Sequence, residues 1–261
     1  MSIGRKSAGL FSAALLAFLF LFSGCAANDK VPVKVLILPK FEVDAMSGDF
    51  PGEAQLYYEH YLEGAEEYEI AGGCAGSKLY VKDGTALYVT GQGKLNSALS
   101  LAAILADDRF DFSDAYIMST GCAGSAAEYT VMGDVIVATA TVDYDLGHQA
   151  DIREMTARLM AETYGCPDPY AVSEMEDNAL AVVLDRMGML DRYIALRCSV
   201  NMDVFMNGVT PETLWGGQES VDLSSEDSVE AEDIFETAMH NNFLVGSRIV
   251  DAILSGEIGE A

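Results

Sequence analysis

Apolar and polar positions alternate along the chain in two rhythms. Short runs rich in Val, Ile, Leu, Ala and Tyr at 33–38, 86–90, 115–119, 134–138 and 193–197 predict β-strands. Several are apolar on both faces, as a sheet covered on both sides requires. Between them, 95–106 and 175–187 carry apolar residues at three- and four-residue spacing, and 234–254 repeats this through Ile234, Ala238, Val245, Ile249 and Ile253. These segments predict helices packed on the sheet. The stretch 218–233 has seven acids and no base, which predicts a solvated loop leading into the last helix. Strand and helix in turn give an α/β fold, expected as a single three-layer sandwich around a central, mostly parallel mixed sheet. No internal repeat or domain linker interrupts residues 30–261.

The N-terminus follows a different rule. Arg5 and Lys6 precede an apolar stretch, 8–22, that ends in Ser23, Gly24 and Cys25, the pattern of a secretory signal. Leu21-Phe22-Ser23-Gly24-Cys25 resembles a bacterial lipobox, in which the Cys is acylated and becomes the mature N-terminus. Phe22 stands where that pattern prefers Leu, Val or Ile; an ordinary secretory signal or an uncleaved anchor are the alternatives. The expected organisation is a signal peptide at 1–24, a tether at 25–32 and one domain at 33–261. The domain would sit outside the cytoplasmic membrane, lipid-anchored through Cys25. Beyond residue 25 no apolar run reaches the roughly 18 residues that cross a bilayer, so no multi-span carrier is expected.

Charge narrows the partners. With 15 Lys and Arg against 41 Asp and Glu, the net charge of -26 repels a phosphate backbone, and nucleic acid is excluded as a partner. Past Cys25 the cysteines are Cys74, Cys122, Cys166 and Cys198, an even number that an oxidising compartment can pair in any of three ways. There is no CxxC, and His60, His148 and His240 stand apart, so no metal site is expected.

In an α/β sheet, ligands bind beyond the carboxyl ends of the strands, and four places qualify. Thr90-Gly91-Gln92-Gly93-Lys94-Leu95-Asn96 sets two glycines between a strand and a helix, where backbone N–H groups and Lys94 suit an anion. Ser119-Thr120-Gly121-Cys122-Ala123-Gly124-Ser125 offers small residues that let a flat ligand approach the backbone. Glu174-Met175-Glu176-Asp177-Asn178 places acids in a first helical turn, which equally serves the helix dipole. Polar residues from Arg197 to Asp203 follow the last strand.

In this order the four places resemble the nucleoside phosphorylase superfamily, most closely its purine nucleoside permease branch. The resemblance runs from Ile37-Leu38-Pro39-Lys40-Phe41-Glu42-Val43-Asp44 through the glycine turn and Thr-Gly-Cys-Ala-Gly to Met132-Gly133-Asp134-Val135-Ile136-Val137 and Asp151-Ile152-Arg153-Glu154-Met155. It continues into the Met-Glu-Asp-Asn helix start, the strand end at Arg197 and Asn201, and a closing helix with Val245-Gly246-Ser247. The first part also resembles the hydrolase that cleaves methylthioadenosine.

The resemblance implies a nucleoside phosphorylase-like fold and a purine nucleoside as ligand. Met175 would pack on the sugar and Glu176 accept its hydroxyls, with Ala123, Gly124 and Glu42 as further substrate contacts. Asn201 falls where the base is held; an amide donates to N7 and O6 and so favours 6-oxopurines over adenine. The water-activating acid falls on Asp44. Gly91, Gly93 and Lys94 form the phosphate-binding candidate. No cofactor is implied, and inorganic phosphate is the candidate co-substrate. The branch usually has a far longer segment between Met155 and Met175, so a neighbouring subunit of a homo-oligomer is one source for the missing wall. Phosphorolysis, hydrolysis at the anomeric carbon and capture of nucleosides for uptake without catalysis all remain open, as does a degenerate member kept for its interactions.

Overall fold

The computed structural model describes residues 30–126, 129–142, 165–166, 168–169, 171–202 and 225–258. In chain order its main elements are β1 (Val35–Leu38), α1 (Gln55–Tyr57, continued by a π-helical turn, Tyr58–Leu62), β2 (Glu66–Glu69), β3 (Lys78–Lys82), β4 (Thr85–Leu87) and α2 (Lys94–Leu105). Then follow β5 (Tyr116–Ser125), β6 (Val135–Val137), β7 (Val172–Ser173), α3 (Asp177–Met187), β8 (Tyr193–Met202) and α4 (Ser225–Ser255).

The strands form one sheet in the order β2-β3-β4-β1-β5-β8-β6, with β7 on β5. The four central strands, β4, β1, β5 and β8, are parallel, and antiparallel strands flank them. All four residues of β1 are buried, which is what its unbroken Val-Leu-Ile-Leu run demands in the centre of a sheet covered on both sides. Alternate residues then serve opposite faces. Val35, Ile37, Leu87, Met118 and Leu196 pack with Ala54, Tyr57 and Leu62 near α1 and with Val250 and Ile253 of α4. Leu36, Leu38 and Ile117 are equally buried, and α2 and α3, packed on one another, bring Leu101, Ile104, Leu180 and Leu184 as the third layer. The arrangement is the expected α/β sandwich.

At Gly246 the helix α4 comes so close to the sheet that a side chain would overlap the Tyr57 hydroxyl and Leu196. Tyr57 lies over this crossing and donates to Asn242 Oδ1 at 2.8 Å.

Two expectations are corrected and two strands are added. β5 and β8 run on to Ser125 and Met202, past the expected ends at 119 and 197, so the small-residue segment after Ser119 is part of the strand. Edge strands β2 and β3 carry too many charges to show as apolar runs. The acidic stretch is helical from Ser225 onward, which puts its later acids in the N-terminal turns of α4, where the helix dipole favours negative charge. The 1–24 signal, Cys25 and the 151–155 motif lie outside the described residues. Among those described, no helix is long and apolar enough to cross a membrane, no metal-binding cluster occurs, and Cys74, Cys122, Cys166 and Cys198 are free thiols.

Candidate functional site

β1 ends opposite Ser119 while β5 and β8 stay paired to Ser125 and Met202. Since β8 holds one edge of β5, β7 takes the edge that β1 has left, beside Gly124 and Ser125. The interval between β1 and β7 opens a cleft of about 250 Å³ at the carboxyl end of the parallel strands. Its walls come from the loop after β1 (Lys40, Phe41), from Glu53 before α1, from Gln92 before α2 and from Cys122, Ala123 and Gly124 of β5. Ser173, Glu174, Met175 and Glu176 close one side, and Arg197 and Asn201 of β8 the other. A second hollow of about 290 Å³, largely apolar, lies along β6 and shares Ser173, Glu174 and Arg197 with the cleft.

Six charged side chains meet at the cleft floor. Arg197, 1% exposed, lays its guanidinium fork on Asp177, with Nε to Oδ2 at 2.9 Å and Nη2 to Oδ1 at 2.6 Å. The same Nη2 reaches Glu174 Oε2 at 3.2 Å and Glu176 Oε2 at 3.6 Å, while Nη1 donates to the Cys122 carbonyl at 3.3 Å. Lys40 Nζ donates to Ser119 Oγ at 2.8 Å and to the Leu38 carbonyl. Ser119 in turn donates to Asp177 Oδ1 at 2.5 Å, and the Tyr193 hydroxyl donates to the same oxygen at 2.9 Å. Glu53, 5% exposed, accepts the Lys40 N–H at 2.6 Å and the Cys122 N–H at 2.7 Å. Gly121, at φ 143, leaves room for that carboxylate, since a Cβ there would overlap it.

Two cations thus face four carboxylates, Glu53, Glu174, Glu176 and Asp177. Burial opposes the charge on Asp177, but Arg197 outweighs it and holds this carboxyl well below the ordinary range. Burial pushes Glu53 up, with Arg197 and Lys40 only partly offsetting it. Burial, reinforced by Asp177, likewise raises Glu174. For Lys40, burial and then the neighbouring Arg197 bring the ammonium down from 10.5 to about 8.

The Lys40 shift has a testable sign. Above pH 8 the folded lysine releases its proton while the unfolded one keeps it to 10.5, so in that window the unfolded chain binds more protons and stability rises with pH. Urea midpoints of wild type and Lys40→Met are expected to diverge in the wild type's favour between about pH 8 and pH 10. Parallel midpoints would mean that the amine keeps its proton in the fold.

Of the residues singled out from sequence, Met175, Glu176, Ala123, Gly124 and Asn201 line the cleft together. Asp44 does not: it is exposed on the loop after β1, at φ 54, and Glu53 holds the buried carboxylate position instead. Glu42 is also elsewhere. Its Oε1 accepts the N–H groups of Val43 and Gly52 at 2.8 and 2.5 Å, and its Oε2 those of Ala54 and Gln55 at 2.8 and 2.6 Å. A carboxylate filled by four backbone donors caps α1 and has no capacity for a sugar. Gly91 and Gly93 adopt φ 81 and 87, as a tight turn needs, but the Gly93 N–H donates to Glu176 Oε1 at 2.7 Å. The chain's own carboxylate therefore occupies the anion position at the start of α2, and Gly91, Gly93 and Lys94 are absent from the cleft walls. Glu53 escaped notice in sequence; its signal was an acid after Phe50-Pro51-Gly52 at the head of an apolar-patterned segment.

The 5′-methylthioadenosine nucleosidase of Arabidopsis thaliana, solved in its apo form, superposes with a TM-score of 0.53 at 13% identity, covering 89% of this chain and 98% of that one. That likeness shows a common fold. The 5′-methylthioadenosine/S-adenosylhomocysteine nucleosidase of Neisseria meningitidis, bound to methylthio-immucillin-A, gives 0.49 at 15% identity over 84% and 99% of the two chains. A probable purine nucleoside permease of Schizosaccharomyces pombe is 33% identical over 82 residues, a match that takes in 31% of this chain and 24% of the relative. The model of the purine nucleoside permease family matches residues 32–166, just over half of the sequence and the part that supplies Lys40, Glu53 and the small-residue strand to the cleft, and the chain belongs to that family.

Proposed function

We propose that the cleft binds a purine nucleoside and cleaves its N-glycosidic bond with water. The observation that carries this reading is a buried carboxylate, Glu53, placed in the same cleft as Glu176 and Asn201 while Arg197 is committed to carboxylates and the Lys40 ammonium to Ser119 and the Leu38 carbonyl. The family name and the substrates in the names of the similar nucleosidases support a purine nucleoside as ligand.

Glu176 keeps lone pairs beyond its bond from Gly93 with which to accept ribose hydroxyls, and Met175 offers its apolar side chain to the sugar face. Glu53 takes a proton from water as the water oxygen bonds to the anomeric carbon. The carbon–nitrogen bond breaks with its electron pair going to the base, through an oxocarbenium-like state as in glycoside hydrolysis. Asn201 donates to the departing purine and stabilises its charge, an arrangement that suits 6-oxopurines. Phosphate fits poorly, because a dianion would join four carboxylates that already outnumber the cations. The proposal includes a place at the cell surface, on a lipid tether at Cys25.

The test incubates the protein with inosine, guanosine, adenosine and uridine, with and without phosphate, and follows free base by chromatography. Hypoxanthine and guanine are expected at equal rates in both conditions, ahead of adenine, with uridine intact. Release that needs phosphate would replace hydrolysis by phosphorolysis. Unbroken nucleosides that nonetheless raise the melting temperature would leave binding alone.

A further inference from the structure

Cys122 and Cys198 stand directly opposite one another in the register of the parallel strands β5 and β8. Residues in direct register send their side chains to the same face. Cys198 is buried with Ala238 and Met239 of α4, and Cys122 packs against that group. Cys198 Sγ donates at 3.5 Å to the carbonyl of Gly121, the residue that precedes Cys122 in β5. Neighbouring strands lie about 4.8 Å apart, inside the range of roughly 4.4–6.8 Å that a disulfide spans between Cα atoms. The other described thiols lie elsewhere, with Cys74 beside Gly91 and Cys166 on the wall of the second hollow.

We propose that Cys122 and Cys198 are a redox pair that closes into a disulfide, stapling β5 to β8 behind the cleft. The oxidant is a small organic disulfide. Cys122, half-buried at the cleft, meets it first: its thiolate attacks one sulfur, the bond between the small molecule's sulfurs breaks, and one small thiol leaves. Cys198, fully buried, then attacks Cys122 Sγ in the mixed disulfide and expels the second small thiol. Two protein thiols are oxidised, the small disulfide is reduced to two thiols, and these take up the two protons. The contact with Cys198, burial and the charge of Glu53 push the Cys122 thiol up, so exchange is slow near neutral pH and speeds about tenfold per pH unit.

The staple would reach the site through the backbone. The Cys122 N–H holds Glu53, its carbonyl holds Arg197, and Arg197 is the chain neighbour of Cys198. Closing the bond fixes both anchors of the cleft floor to each other.

Full-length protein, reduced and desalted, is incubated with oxidised glutathione at about pH 8.5, its remaining thiols are blocked, and it is digested without reductant for mass spectrometry. The expected product joins the peptides of Cys122 and Cys198, about 2 Da lighter than the two thiol peptides together. Its yield is unchanged in a Cys74→Ser/Cys166→Ser variant, and the oxidised protein melts about 5 °C higher than the reduced one. Wild type alone decides, so a Cys198→Ser chain that fails to fold does not blunt the test. Glutathione retained on Cys122 without closure, a link to Cys74 or Cys166, or no reaction at either residue overturns the proposal.

Discussion

Replacing Arg197 with methionine is expected to lower the free energy of unfolding by about 3–5 kcal/mol, the cost of leaving buried charge without its partner. Methionine fills similar volume, so the loss reports charge rather than a cavity. Asp177 loses two bonds from the guanidinium, at 2.9 and 2.6 Å, and Glu174 and Glu176 lose the cation shared with it. Lys40 cannot take over, because its ammonium is bound to Ser119 and the Leu38 carbonyl. Arg197→Lys rescues little, since an ammonium reproduces one contact of a planar fork. The acid limb of the pH–stability curve provides a second reading. Asp177 is held low in the fold, so its share of stability is present above its unfolded pKa and is lost as pH falls below it. That acid loss is expected to shrink in Arg197→Met. A urea-unfolding cost under about 1 kcal/mol, with the acid limb unchanged, would show that water enters the cluster and solvates the carboxylates.

How far the sequence foretold this cluster depends on the kind of signal each residue leaves. β1 was legible because Val-Leu-Ile-Leu is buried on both faces, and α2 and α3 because their apolar spacing has the helical period. Met175, Glu176 and Asn201 were legible through resemblance, as motif residues set at strand ends. β2 was not, because an edge strand reading Glu-Glu-Tyr-Glu gains from the charge that hides it. Glu42 and Glu53 mark a harder limit. Both are acids near the end of β1, and sequence distinguishes neither the one that caps α1 from the one that enters the cleft nor either from exposed Asp44. Only the fold decides, since the loop from Phe41 to Gly52 turns back to set Glu42 under the first N–H groups of α1 and leaves Glu53 facing β5. The glycine turn misled for a related reason. Its N–H donors are real, but the partner that fills them comes from Glu176, 83 positions away in the chain.

Glu53→Gln is expected to cut base release by about 10²–10⁴-fold, the usual contribution of a positioned general base. The substitution keeps the shape of the side chain and removes its ability to take a proton from water. It also has a structural cost: Glu53 accepts two N–H groups, from Lys40 and Cys122, and an amide accepts at one end only. A donor then faces a donor, at about 1–3 kcal/mol of stability, so activity is compared at a temperature where both proteins remain folded. Nucleoside-induced stabilisation separates the two effects, since Glu176, Met175 and Asn201 are untouched and binding should persist while release fails. Asp44→Asn, on the exposed loop, is expected to stay within about twofold of wild type, as a surface change remote from the chemistry should. Burial raises Glu53, so wild-type activity should fall on acidification at a higher pH than for an ordinary carboxylate, and the residual activity of Glu53→Gln should lack that limb. Full activity in Glu53→Gln with loss in Asp44→Asn would move the base to the exposed loop. That outcome would require the loop after β1 to close over the bound sugar.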